Sequence, residues 1–133
     1  MTEQITGLPS RNSFSSTLHL PFAVQMQMLE RNRLSVETEC NVYGLPAGAR
    51  MEAAPDVVRI LATDVTTLAH WLEVRGGTVT VKQAGDGVQV WTLRTATEAE
   101  LPKFPPVTVL VAVLVTDDEQ MMPELADAME VSA

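Results

Sequence analysis

The sequence predicts a small single-domain α+β protein, a mostly antiparallel sheet packed by one long amphipathic helix over 55–75 and followed by a β-hairpin, a Val-rich strand and a short acidic C-terminal helix. Three observations carry that expectation. Val58, Leu61, Val65, Leu68 and Leu72 recur at spacings of three and four, one face of a helix. Opposite them Asp56, Arg59, Thr63, Thr66, His70 and Glu73 form a polar stripe. Two runs of alternating residues flank Asp86-Gly87, a strong hairpin signal. Valine then occupies every second position from Val107 to Val115, which reads as a buried strand or one paired with another chain.

The elements follow in chain order. Residues 1–16 are polar and aperiodic and read as a loose arm, leaving 17–116 as the folded domain and 117–133 as an acidic C-terminal segment. Residues 17–32 fit either a strand, through alternating Leu18, Leu20, Phe22, Val24, Met26 and Met28, or a helix behind Pro21. Ser35 to Tyr43 alternates Val36, Thr38, Cys40 and Val42 against polar neighbours, the pattern of a half-buried strand. Gly44, Pro46 and Gly48 mark a turn. The helix over 55–75 has Pro55 at its start and Gly76 past its end, and its weakness is a high content of β-branched residues. A rival parse makes Val57–Ala62 a strand and begins a shorter helix at Thr63 or Asp64. In the hairpin over 77–95, Val79 and Val81 are expected to share a face with Val88 and Val90, while Lys82, Trp91 and Leu93 line the other. Residues 96–106 form a proline-containing linker. The prolines before the valine strand and Asp117 and Asp118 after it act as gatekeepers against aggregation. Met122, Leu125, Ala126 and Met129 then fall at helical spacing.

At 133 residues, one core is expected, able to hide roughly two thirds of the unfolded chain's surface. The composition is too apolar for disorder. The formal net charge is −8, and from Asp117 onward there are six acids and no base. Such a tail repels phosphate backbones and suits a basic partner surface. Cys40 is the one cysteine, so an intramolecular disulfide is excluded and a cytoplasmic setting is expected. No apolar run approaches the length of a membrane span, and the N-terminus lacks the pattern of a signal peptide.

Catalytic constellations are sparse. His70 and Glu73 share the polar stripe near Thr66 and Thr67, but two ligands do not make a zinc site and His19 cannot be placed beside them. Cys40 on an apolar strand face reads as a small buried hydrophobe rather than a nucleophile. Asp117, Asp118 and Glu119 lack the spaced oxygen ligands of a calcium loop. Gly85 and Gly87 neither open a helix nor precede a lysine, so they are turn residues and not a phosphate cradle. Trp71 and Trp91 are expected in the core or an interface. No catalytic residue, cofactor or metal is assigned.

A helix ending in Gly76 and Gly77 and running into a hairpin resembles the last helix and wing of winged-helix DNA-binding domains, over about Pro55 to Thr95. The resemblance implies a DNA-binding transcriptional regulator. Only Arg59, Arg75 and Lys82 would face phosphates there, so nucleic acid is disfavoured by charge. The leading expectation is a non-catalytic protein–protein interaction or regulatory protein that self-associates as a homodimer and binds a protein partner through an acidic surface. Val107, Val109, Val111, Val113 and Val115 are the expected oligomer interface, since leaving a valine uncovered forfeits roughly 1.5 to 3 kcal/mol of burial. Asp117, Asp118, Glu119, Met122, Leu125 and Met129 are the expected partner contacts. A third reading is a small enzyme or ligand-binding domain built on His70 and Glu73 with Tyr43 or Trp91. No membrane partner is expected.

Overall fold

From Phe22 the chain runs α1 (Phe22–Tyr43), β1 (Arg50–Ala53), β2 (Val58–Leu61), α2 (Val65–Arg75), β3 (Thr78–Gly85), β4 (Val88–Ala96), β5 (Thr108–Thr116) and α3 (Pro123–Asp127). The computed structural model describes residues 20–98 and 105–129. The arm expected over 1–16, and His19, lie outside the described residues. The described strands form one sheet in the order β1-β2-β5-β4-β3, antiparallel except for the β2–β5 pair. The protein is therefore a small α+β domain with a mostly antiparallel sheet, a helix leading into a hairpin, a valine-rich strand and a short C-terminal helix.

The single helix expected over 55–75 divides. Val58–Leu61 is a strand that pairs with β1 on one side and β5 on the other, and the helix begins only at Val65. Asp64 sets that boundary: its carboxylate accepts the backbone N–H of Thr67 at 3.3 Å, the arrangement of an N-cap. β-branched Val57, Val58 and Ile60 fit a pleated surface better than a helical turn. The apparent helical stripe included Leu61, which in the structure is exposed on the far side of the sheet from Val58 and Ile60.

The strand expected over 35–43 is the second half of α1. Its alternation was coincidental, because what faces the core is Asn32, Val36 and Glu39, at spacings of four and three. Two of those three are polar and are held by specific bonds. Asn32 Nδ2 donates to the carbonyls of Ala54 and Pro55, both at 3.0 Å, and Glu39 pairs with Arg75. Arg33 bridges Glu30 and Glu37 along the exposed side of the same helix. α1 stops at Gly44, whose N–H bonds the Cys40 carbonyl.

Within the hairpin the register reverses the expected faces. A bulge between Gln83 and Gly85 pairs Val81 with Trp91 and Val79 with Leu93, leaving Lys82 opposite Val90. One extra residue in a strand turns every side chain before it to the other face. The core therefore joins Val79, Trp91 and Leu93 to Val58, Ile60 and the β5 valines, closed from above by Val36 of α1, Leu68 and Trp71 of α2 and Leu125 of α3. Trp71 is wholly buried and its Nε1 donates to the Pro46 carbonyl at 2.8 Å, while Trp91 Nε1 donates to Gln89 Oε1 at 3.0 Å. Two glycines permit close backbone approach. At Gly77 (φ 129°) a Cβ would collide with the Arg94 carbonyl, and at Gly48 (φ 73°) it would stand 2.6 Å from the Leu61 carbonyl oxygen.

Candidate interaction surface

The five expected interface valines lie inside the molecule. Val109, Val111 and Val113 are at most 1% exposed, and Val107 and Val115 are also buried. β5 is the middle strand, hydrogen-bonded to β2 on one side and β4 on the other, with helices over its valine face. One chain thus supplies the burial that motivated pairing across a dimer.

The expected partner residues separate into two groups. Leu125 is fully buried, Met122 is half-buried, and Val79 N–H donates to the Ala128 carbonyl at 2.9 Å, with Met129 bridging Val79, so the tail lies along the outer edge of β3. Asp117, Asp118 and Glu119 remain exposed in the turn after β5. Asp117 accepts Gln83 Nε2 at 3.0 Å and Asp118 accepts the Thr116 hydroxyl at 2.6 Å.

The residues of the enzyme reading do not converge. His70 and Glu73 line a shallow concavity of about 470 Å³ with Thr66, Met122 and Glu124. Tyr43 is elsewhere, its hydroxyl donating to Glu98 at 2.8 Å and its ring under the Arg75 guanidinium at 4.3 Å. Trp91 is in the core. Among the described residues no group of three or more His, Cys, Asp or Glu is placed to hold a metal ion. Burial pushes the Cys40 thiol up from its ordinary value, and Glu39 and Glu37 push it further, so its thiolate is disfavoured. Arg75 serves structure: its Nε meets Glu39 Oε1 at 2.5 Å and its Nη2 meets Glu39 Oε2 at 3.3 Å, which raises its already high pKa. No described helix is long and apolar enough to cross a membrane.

What sequence reasoning missed is the other face of the sheet. The described helices contribute to the core on the valine side, whereas the opposite side has no described helix over it. Its middle carries Leu110, Ala112 and Leu114 of β5, Leu61 of β2 and Val90 of β4, with Leu114 58% and Leu61 46% exposed. Ala112 sits between Leu61 and Thr92 in the register, and this small side chain among larger neighbours leaves a concavity of about 360 Å³. Arg50 and Arg59 line it and Lys82 and Arg94 stand further along the same face, all four exposed, with Glu52 the one acid among the described strand residues of this face. Arg50 pairs with Glu52 at 3.0 Å, while Arg59, Lys82 and Arg94 make no ion pair among the described residues. Four of the seven described bases thus gather on one face of a chain whose net charge is −8. The signal in the sequence was Arg59, Lys82 and Arg94 at alternate positions from buried residues, legible only once register was known. Searches of protein-family models, of curated proteins and of solved structures give no match to this chain.

Proposed function

We propose that the protein is a non-catalytic interaction protein with a regulatory role, which recognises a protein partner through the open face of its sheet. One observation carries the reading: an apolar centre formed by Leu61, Leu110 and Leu114 has no described helix over it and is edged by Arg59, Lys82 and Arg94, which make no ion pair among the described residues. Large contiguous apolar surfaces with polar rims mark interaction sites. The acidic turn at Asp117–Glu119 supplies a separate surface suited to a basic partner. Self-association belongs to the same reading, supported by Phe22, Val24 and Met26, which are exposed at the start of α1. A lone, part-buried Cys40 is consistent with a cytoplasmic setting.

The test uses Leu114→Glu beside Asp118→Asn, each compared with the native chain in affinity capture from the source organism and in light scattering over a concentration series. Loss of captured protein, or of oligomer, with Leu114→Glu alone supports the open face. Unchanged capture and mass with Leu114→Glu, or loss with Asp118→Asn instead, contradicts it.

A further inference from the structure

We infer that the occupant of the open sheet face is an acidic amphipathic helix of a partner protein, lying along β5 with an apolar side chain seated over Ala112 and carboxylates beside Arg59 and Arg94. This rests on the interaction reading above and names the chemistry of the partner. Leu110 is the shared neighbour of Arg59 on β2 and Arg94 on β4, so the two arginines stand on either side of it. Adjacent strands lie about 4.8 Å apart, which separates those two backbone positions by about 10 Å. A helix with its side chains is about 10–12 Å across, so one laid along Leu110, Ala112 and Leu114 brings the flanks of its apolar stripe to both guanidinium groups. Arginine suits carboxylates because its planar fork donates to both carboxylate oxygens at once. A second copy stacked face to face would instead set Arg59, Arg94 and Lys82 against their equivalents, with Glu52 the lone acid among the described strand residues of the face to offset them. Nucleic acid fits poorly, since no aromatic side chain stands among the strand residues of this face to stack on a base.

The experiment measures fluorescence anisotropy of three labelled helical peptides with one apolar stripe, flanked by glutamate, glutamine or lysine, against the full chain and against Arg59→Glu/Arg94→Glu. A labelled single-stranded oligonucleotide is the fourth probe. The expected result is that the glutamate peptide binds roughly tenfold or more tightly than the lysine peptide, that added salt weakens it, and that the double variant reverses the order. Equal binding of the three peptides, binding by none of them, or an order unchanged in the double variant overturns the inference. Binding by the oligonucleotide in preference to every peptide overturns it as well. A dimer of the native chain that Leu114→Glu dissociates assigns the face to a second copy, which overturns the acidic helix while leaving the interaction reading intact. Failure of that reading looks different: Leu114→Glu then changes neither capture nor mass.

Discussion

β5 presents two apolar rows with opposite fates. On one side Val109, Val111 and Val113 are at most 1% exposed beneath the helices, and on the other Leu110, Ala112 and Leu114 face outward with Leu114 58% exposed. Both rows are apolar, so hydrophobic character alone does not separate them. Shape and charge do. The inner row is uniformly β-branched, which packs a pleated surface against helices at high density, and no cation stands in it. The outer row is leucine and alanine, uneven in height, with Arg59 and Arg94 flanking Leu110. A strand apolar on both faces belongs in the middle of a sheet, but which face the chain itself covers is decided by where the helices can return.

The sharpest test of that contrast is a carboxylate on the inner row. Val111→Asp is expected to cost about 4 kcal/mol or more, because the new group would be buried without a partner. Against a stability of about 5–15 kcal/mol this leaves a chain that is largely unfolded or melts far earlier, as circular dichroism would record. Val111→Asp that melts with the native chain would mean that the valine row is not the core. A charge on this row unfolds the domain and therefore cannot report on self-association.

The two rows also show what a sequence can and cannot carry. The valine strand, the Asp-Gly hairpin and a helix ending at Gly76 were legible, because each is written in local periodicity or turn chemistry. The first half of α1 fitted the helix behind Pro21 that was one of two readings, but its second half read as a strand, since it is fastened by Asn32 and Glu39 rather than by an apolar stripe, and bonds to Ala54, Pro55 and Arg75 are invisible until the fold brings them together. The division of 55–75 was hidden by Leu61, whose outward exposure on an apolar face mimicked a helical repeat. The hairpin faces were exchanged by a bulge near Ala84, which changes the side that every earlier residue of β3 occupies, and the open face was missed because helical spacing puts Arg59 and Leu61 on a helix rather than beside β5.

A smaller effect probes how the helices are held over the inner row. Arg75→Ala leaves Glu39, buried between α1 and α2, without its guanidinium partner, and a loss of about 3 kcal/mol is expected by urea titration. Replacing both residues with methionine should recover much of it, since neither charge is then stranded. No recovery would mean that the pair does more than satisfy its own charges. Smaller again is the contribution of Asp64, where the Thr66 hydroxyl, and then the Thr67 and Thr66 backbone N–H groups, hold the carboxyl below its ordinary value. A lowered folded-state value gives stability that is present above the unfolded value and lost as pH falls through the folded one. The native chain should therefore exceed Asp64→Asn in melting temperature at neutral pH, with the gap closing in acid. A gap that widens in acid would contradict the N-cap.

The smallest expected effect on stability is the most informative about function. Leu114 stands one residue beyond Val113 on the same strand, yet Leu114→Glu should alter folding by no more than about 0.5 kcal/mol, since its side chain is mostly in water already. Removing an exposed leucine from a sheet face has little to lose in the free chain, whereas in a complex the same side chain would be desolvated, and a glutamate there would be buried beside a partner's apolar stripe. Folding and binding respond oppositely at the two rows. A variant that melts with the native chain and yet fails to bind assigns the outer row to a partner, whereas one that loses both would show that the outer row is covered within the chain after all.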